Sequence, residues 1–289
     1  MAGVTRRAVL LAGTGGVAAA VLGGAGIESG LLPGRDALER LTGRLPAGVP
    51  SAAPGRRVSG SFRSDRRHTW VGWTIAYPPG ATGRVPAVVV LHGRGADHRS
   101  AFSSLYLDRF LAQAVERGSP RFALASVDGG DHEYWHPRDG TDPAGMVVDE
   151  FLPLLGGHGL DTSRIGLLGW SMGGYGALYL AGVLGASRVA GAVAESPAMW
   201  HTAGQTAPGA FDGAADFAAH SVLGRVERLR GIALQVDCGS ADGFAPVTRD
   251  LRAAITPEPA GGITPGGHDD SYWRGRAAGQ LRFLAARLG

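Results

Sequence analysis

A serine flanked by glycines lies where a nucleophile is expected. The motif is Gly169-Trp170-Ser171-Met172-Gly173, and small residues two positions before and after the serine permit the tight strand-to-helix turn of a nucleophile elbow. The string alone is weak evidence, because the chain contains 48 glycines. Its context is stronger, since residues 165–168 have a buried-strand pattern and residues 174–184 a helical one. Ser171 is therefore predicted at a helix N-terminus, where backbone N–H groups favour negative charge.

A serine hydroxyl needs a base to take its proton, and the base needs a carboxylate to orient it. In chains with this kind of elbow the order is serine, acid, histidine. His268 is the one histidine that follows the candidate acids. Asp242 lies in the loop after a strand predicted at residues 232–236 and is the preferred acid. Asp237, closer to that strand, is the alternative, with a structural role as its simpler interpretation. The predicted triad is thus Ser171, His268 and Asp242.

Acyl transfer also needs donors for the oxyanion of the tetrahedral intermediate. One donor is expected from the backbone N–H of Met172, directly after the nucleophile. The other is expected from the glycine-rich loop at residues 92–97, which follows a predicted strand. Arg94 N–H is the first choice there and Gly95 N–H the second. The Arg94 side chain is expected either to contact an anionic substrate or to point into solvent.

Two tryptophans are candidates for substrate contact. Trp135 lies in a polar and aromatic stretch after a strand, and Trp200 follows another strand end; ordinary loop packing is the alternative for each. No metal site is predicted, because His132-Glu133 lacks a second histidine at the spacing of a zinc-binding helix. No cofactor is implied. Cys238 is expected to be a buried packing residue rather than a reactive thiol.

The elements that must position these residues alternate between strands and helices. Strands are predicted at residues 58–62, 69–77, 85–91, 122–127, 165–168, 189–194 and 232–236. Helices are predicted at about residues 101–117, 146–155, 174–184 and 271–288, with another after the last strand. Such alternation indicates an α/β fold with a mostly parallel sheet covered by helices on both faces. Reactive groups then gather at the carboxyl ends of the strands.

Composition is typical of one large globular domain. The chain has 289 residues, of which 44% are hydrophobic, and the domain is assigned to residues 56–289. The net charge is only +3 and its basic residues, all arginine, form no basic stripe, so no nucleic-acid partner is expected. A single cysteine excludes an intrachain disulfide.

The N-terminus has the features of an export signal. Arg6-Arg7 directly precede a mildly apolar run of Ala, Gly, Val and Leu, so residues 1–28 are predicted to be a Tat-type signal peptide or an anchor. Residues 29–55 are rich in Gly, Pro and Ala and are predicted to be a flexible tether. The protein is expected outside the cytoplasm, in the cell wall or anchored, with membrane contact only through its leader.

Four motifs resemble one known family. HGRGAD (92–97), GWSMGGYGAL (169–178), DCGSADGF (237–244) and GGHDDSYW (266–273) resemble the esterase D, or S-formylglutathione hydrolase, branch of the α/β-hydrolases. They are also similar to the secreted mycolyltransferases of that superfamily. The resemblance implies an α/β-hydrolase fold over residues 56–289, with Asp242 and His268 beside the serine and oxyanion donors at Arg94 and Met172. The export-type leader departs from a cytosolic glutathione-thioester hydrolase.

Three functions remain compatible with these observations. The first is an exported serine esterase acting on a small-molecule ester or acyl-lipid substrate through an acyl-enzyme on Ser171. The second is an acyltransferase that uses the same triad to pass the acyl group to a sugar or lipid hydroxyl. The third, of a different class, is a non-catalytic cell-wall or adhesion scaffold.

Overall fold

The computed structural model describes residues 45–289. The predicted leader at residues 1–28 and the first part of the predicted tether at residues 29–55 lie outside this range. Within residues 45–289, no helix combines the length and the apolar character that a membrane span requires.

One compact unit spans Pro50–Gly289. It therefore begins ahead of the domain boundary predicted at Arg56. The Arg109 guanidinium donates a hydrogen bond to the carbonyl oxygen of Ala52 (3.2 Å), so residues just before that boundary contact the helical layer.

The unit is built on an eight-stranded sheet with the strand order β1-β2-β4-β3-β5-β6-β7-β8. The strands are β1 (Arg57–Ser64), β2 (Thr69–Ala76), β3 (Val85–Leu91), β4 (Ala123–Val127), β5 (Leu160–Trp170), β6 (Val189–Glu195), β7 (Leu234–Gly239) and β8 (Ala260–Thr264). The β1–β2 and β2–β4 pairs are antiparallel and the remaining pairs are parallel. The predicted mostly parallel sheet is confirmed.

Burial explains which strands occupy the centre. Every residue of β4 and β6 is buried, and both are runs of Ala and Val with few polar groups, as strands covered on both faces must be. β1, at the edge, is mostly exposed, and only its last residue, Ser64, is buried. Parallel pairing then aligns the strand ends, with Leu91 of β3 opposite Gly169 of β5 and Glu195 of β6 opposite Asp237 of β7. The loops that follow these strands meet at one edge of the sheet.

Helices cover the sheet. They are α1 (Ser100–Ser103), α2 (Leu107–Glu116), α3 (Leu152–Gly157), α4 (Met172–Leu184), α5 (Ala214–His220), α6 (Ala245–Ala254) and α7 (Asp270–Leu288). A helical turn at Pro143–Gly145 and a π-helical stretch at Met146–Phe151 lead into α3, and 3₁₀ turns lie at Ala203–Gln205 and Leu223–Leu229.

The structure corrects several predicted elements. The helix predicted at residues 101–117 is interrupted between α1 and α2, where Tyr106 takes a left-handed conformation (φ 54°). β8 was not predicted because it is a glycine-rich edge strand (Ala-Gly-Gly-Ile-Thr), which lacks the usual β-branched pattern. α5 was not predicted either, since it is short and has no fully buried residue.

Candidate active site

Ser171 occupies the sharp turn between β5 and α4. Its backbone has φ 56° and ψ −120°, a region that L-residues rarely adopt and that commonly marks functional turns. The flanking glycines permit the turn. A Cβ at Gly169 would lie 2.0 Å from the carbonyl oxygen of Gly173, and a Cβ at Gly173 would lie 1.9 Å from the carbonyl oxygen of Leu91. Ser171 therefore stands on a tight elbow that tolerates no side chain at either glycine.

The substitution Gly173→Ala is expected to lower the free energy of unfolding by about 3 kcal/mol or more, because backbone rather than a flexible side chain must move. The matched control is Gly275→Ala in α7, where a Cβ meets nothing within 4 Å. That change is expected to be neutral or to stabilise by about 0.5–1 kcal/mol. Denaturant unfolding followed by circular dichroism measures both variants, and equal stability would contradict the predicted elbow packing.

The three residues of the predicted triad form one hydrogen-bonded chain. The His268 ring lies between the other two side chains, with Nε2 2.9 Å from Ser171 Oγ and Nδ1 2.8 Å from Asp242 Oδ2. The Asp242 side chain is fully buried, whereas the His268 side chain is about one third exposed. The three come together because each follows a strand of the sheet. Ser171 follows β5, Asp242 follows β7 and His268 follows β8.

The environment of Asp242 keeps it ionised. Burial by itself raises the pKa of this carboxyl, but the hydrogen bonds from His268 and from Phe244 N–H outweigh it and hold the pKa below its usual range. Phe244 N–H donates to Oδ1 at 2.8 Å, which leaves Oδ2 for the imidazole. A buried, ionised carboxylate in this position fixes the ring orientation and stabilises an imidazolium.

Asp237, the alternative acid, has other partners. Its carboxylate accepts hydrogen bonds from Arg276 Nη2 (3.0 Å), Gln235 Nε2 (2.7 Å) and Gln280 Nε2 (3.2 Å). The side chain is fully buried. This is the structural role expected for a carboxylate at this position.

A second buried carboxyl, Glu195, supports the elbow from below. Its backbone carbonyl accepts a hydrogen bond from Ser171 N–H (2.9 Å), and its side chain is buried next to Asp237. Burial, reinforced by the negative charge of Asp237, raises the pKa of Glu195 well above its usual value. The Glu195 carboxyl is therefore protonated in the folded protein under conditions where an exposed glutamate is ionised.

Glu195 makes stability pH-dependent. In the unfolded chain this carboxyl ionises above about pH 4.3, whereas in the folded protein burial keeps it protonated to higher pH. Its contribution to the free energy of unfolding is therefore largest below about pH 4.3 and declines as the pH rises above that value. Glu195→Gln removes the decline. We expect the difference in Tm, variant minus wild type, to grow by about 2–4 °C between pH 5 and pH 8. The exposed Glu116→Gln serves as the control, and a pH-independent difference for Glu195→Gln would contradict the protonated carboxyl.

The predicted oxyanion donors belong to the residue after the nucleophile and to the loop after β3. Met172 is the first residue of α4, so its N–H has no acceptor within the helix. The loop after β3 passes close by, because a Cβ at Gly93 would lie 3.4 Å from Ser171 Cβ. In that loop, Gly95 N–H donates to the carbonyl of Asp131 (3.4 Å). This engagement favours Arg94 N–H, the first choice from the sequence, over Gly95 N–H.

Ser171 opens onto a cleft of about 630 Å³. Its walls are largely aromatic, formed by Tyr134, Trp170, Trp200, Phe244 and Trp273. Trp200 packs against both Tyr134 and Phe244, with ring centroids 5.6 Å apart in each pair. Trp200 therefore lines the cleft, and its contact with substrate stays a prediction. Arg94 lines the same cleft as Tyr134.

The substrate contact predicted for Trp135 is wrong. Its side chain is fully buried, its Nε1 donates to the carbonyl of His92 (3.2 Å), and its ring packs against Gly129 and Gly176. Trp135 therefore fixes the loop after β3 from beneath. The preceding residue, Tyr134, lines the cleft instead.

Tyr134, Phe244 and Trp273 were missed as wall residues. Tyr134 and Trp135 both have positive φ values (51° and 57°), and no sequence signal gives which of two adjacent aromatic side chains then faces the cleft. Phe244 and Trp273 lie within the acid and histidine motifs. Their rings lie 5.4 and 5.1 Å from that of His268, so their closeness to the candidate triad in sequence was the available signal.

Cys238 is buried, as expected of a packing residue. Burial raises the pKa of its thiol, and the negative charge of Asp242 raises it further, to about 12. The reactive thiolate is therefore disfavoured at neutral pH.

Comparison with solved structures finds close matches in architecture. No family model matches the chain, and neither does any curated protein sequence. A ferulic acid esterase superposes with a TM-score of 0.70 at 18% identity, covering 81% of this chain and 99% of its own. An S-formylglutathione hydrolase from Agrobacterium tumefaciens superposes with a TM-score of 0.66 at 18% identity, covering 83% of this chain and 98% of its own. A ferulic acid esterase from Anaeromyces mucronatus, in complex with ferulic acid, superposes with a TM-score of 0.65 at 18% identity, covering 85% of this chain and 96% of its own.

At these identities the likeness concerns architecture. It agrees with the fold that the four sequence motifs imply, and with the strand order and elbow described above. The described part of the chain has the α/β-hydrolase fold.

Proposed function

We propose that this protein is a serine esterase that hydrolyses carboxylic esters through an acyl-enzyme on Ser171. The observation that carries the proposal is the hydrogen-bonded chain from Ser171 through His268 to Asp242, with contacts of 2.9 and 2.8 Å, at the floor of an open cleft. A serine, a base and an orienting carboxylate in mutual contact form a nucleophile with its activating groups. A non-catalytic scaffold has no need of this arrangement.

The proposed reaction has two halves. His268 Nε2 takes the proton of Ser171 Oγ as that oxygen attacks the ester carbonyl carbon. Met172 N–H and Arg94 N–H donate to the resulting oxyanion. The imidazolium then gives its proton to the leaving alcohol as the C–O bond breaks. In the second half, His268 deprotonates water, which attacks the acyl-enzyme carbonyl carbon. The imidazolium then returns its proton to Ser171 Oγ as the C–O bond breaks and the acid is released.

The walls of the cleft favour an aromatic acyl group. Tyr134, Trp200, Phe244 and Trp273 present ring surfaces within reach of Ser171, and ring-to-ring contacts add about 0.5–1.5 kcal/mol beyond the area they bury. The Anaeromyces esterase of similar fold is named for ferulic acid and holds that acid. We therefore assign esters of hydroxycinnamate type as the preferred substrates.

Trp200→Ala tests this assignment. We expect kcat/KM for a 4-nitrophenyl ester of ferulic acid to fall about 10-fold or more, mainly through a higher KM, because the lost ring contact is worth about 1–3 kcal/mol. The acetyl ester, which does not reach the aromatic walls, is expected to change by less than about 3-fold. The control is Trp70→Ala in β2, whose tryptophan is 67% exposed on the surface. Equal losses on both esters would contradict an aromatic acyl site.

Product analysis tests hydrolysis itself. The full chain is incubated with an ester of ferulic acid, with and without a sugar acceptor. Release of free acid at the same rate in both mixtures supports the esterase. Transfer of the acyl group to the sugar in preference to water would instead establish the acyltransferase alternative.

The proposal includes export. The support is the sequence pattern of residues 1–28, with Arg6-Arg7 ahead of a mildly apolar run, and the tether-like composition of the residues that follow it, ahead of the compact unit that begins at Pro50. Replacing both arginines with lysine in the full chain is expected to abolish export through the Tat route. Unchanged export of that variant would remove the Tat assignment and leave the esterase proposal untouched.

A further inference from the structure

A group of three side chains with metal-ligand chemistry lies apart from the triad. They are His136, in the loop after β4, and Asp216 and His220, which are four residues apart on α5. One ligand atom from each lies within 4.8 Å of the others. We propose that these three residues bind a divalent cation of the zinc class.

The hydrogen bonds around His136 fix where its proton lies. The single hydroxyl proton of Tyr175 goes to the backbone carbonyl of His220 (2.9 Å). His136 Nδ1 lies 3.2 Å from the same hydroxyl oxygen and 3.1 Å from the carbonyl oxygen of Tyr134. Both neighbours can only accept a hydrogen bond from Nδ1. Nδ1 therefore carries a proton.

The other ring nitrogen of His136 faces a carboxylate. Nε2 lies 3.3 Å from Asp216 Oδ2, and the His136 side chain is fully buried. In the ring with its one proton on Nδ1, Nε2 carries a lone pair, so a cation between the two atoms can bind both.

The spacing fits a zinc-class ion. Two ligand atoms about 2.0–2.1 Å from a tetrahedral metal lie about 3.3 Å apart, which is the observed separation of His136 Nε2 and Asp216 Oδ2. A metal-bound histidine commonly donates its other N–H to a backbone carbonyl, as His136 Nδ1 does toward Tyr134. Two imidazoles and one carboxylate are a donor set that Zn²⁺ prefers over Mg²⁺ or Ca²⁺.

His220 supplies the third ligand. Its ring stacks on that of His136, with centroids 4.8 Å apart, and its Nδ1 lies 2.6 Å from Asp216 Oδ1. The side chains of Asp216 and His220 are 14% and 19% exposed, so solvent reaches the site.

The proposed ion would stabilise one wall of the cleft. The Phe211 ring stacks on His136 at 4.7 Å and contacts Tyr134 at 6.3 Å. Asp212 N–H donates to Asp216 Oδ2 (2.8 Å). The site thus ties α5 and the segment before it to the loop that carries Tyr134. This departs from the sequence-based expectation of no metal site, since 80 positions separate His136 from Asp216 and no spacing motif links them.

Metal titration tests the site without any assay of activity. The chelator-treated full chain is titrated with Co²⁺, followed by its visible absorption, and with Zn²⁺, followed by calorimetry and Tm. Binding is measured in wild type, His220→Gln and Asp216→Asn, with folding of each checked by circular dichroism. His201→Gln is the matched control, because His201 forms a similar histidine–aspartate pair with Asp250 on the surface (2.7 Å). His268→Ala removes the imidazole of the triad.

We expect one ion per chain with the intense absorption of four-coordinate Co²⁺, and a Zn²⁺-dependent rise in Tm. Both should persist in His201→Gln and His268→Ala, whereas His220→Gln and Asp216→Asn should weaken binding about 100-fold or more. The proposal is overturned if the folded wild type binds no ion, if His268→Ala abolishes binding, or if His220→Gln and Asp216→Asn both bind like wild type.

Discussion

Replacing Ser171 with alanine is expected to lower kcat/KM for an activated aryl ester by about 10⁵-fold or more. The change removes the nucleophile and with it the acyl-enzyme, so only binding and oxyanion stabilisation remain. His268→Ala should lose nearly as much, because the serine then has no base within hydrogen-bond distance. The double variant should be no slower than either single variant, since residues that act as one unit are not additive.

Stability measurements separate this loss from unfolding. Ser171 is only partly buried and its hydroxyl contacts His268, so Ser171→Ala should keep the Tm of the wild type within a few degrees. Ser163→Ala, at an exposed serine in the first part of β5, is the control and should leave activity unchanged. A folded Ser171→Ala variant with more than about 1% of wild-type activity would contradict nucleophilic catalysis at this residue.

Asp242→Asn is the second large effect, with an expected fall in kcat of about 10⁴-fold. An amide in place of the carboxylate can donate to His268 Nδ1, which would move the ring proton to Nε2, the nitrogen that must accept from Ser171. The shape of the buried side chain is retained, so KM and Tm should change little. Kinetics on the same aryl ester, with Tm from thermal unfolding, measure both quantities.

Asp237→Asn is the matched comparison. It removes a charge that accepts hydrogen bonds from Arg276, Gln235 and Gln280, and losing the charged partner of a buried pair costs about 3–5 kcal/mol. We expect lower stability with kcat retained within about 10-fold in the folded fraction. If kcat fell about 10⁴-fold in Asp237→Asn and not in Asp242→Asn, the carboxylate that orients His268 would be Asp237.

The fold was predictable from the sequence where burial decides the pattern. Strands β3, β4 and β6 are covered on both faces, and their mainly apolar runs identify them. Edge elements carry a weaker signal, which is why β8 and the short helix α5 were missed. The break at Tyr106 depends on a left-handed backbone that local composition did not indicate.

The candidate triad was predictable because its chemistry follows chain order. Ser171 lies in a motif whose glycines the backbone demands, and only one histidine follows Asp242. The cleft walls were harder to predict, because side-chain direction in loops depends on backbone angles. At residues 134 and 135, two positive φ values turn Tyr134 into the cleft and Trp135 into the core. The cluster of His136 with Asp216 depends on tertiary contact alone.

One labelling experiment tests the central claim most directly. The full chain is treated with a fluorophosphonate, which forms a covalent bond with an activated serine, and the modified peptide is identified by mass spectrometry. We predict modification at Ser171, none in Ser171→Ala, and labelling slowed by orders of magnitude in His268→Ala. Folded wild-type protein that stays unlabelled, or that is labelled at another serine, would contradict an activated nucleophile at Ser171.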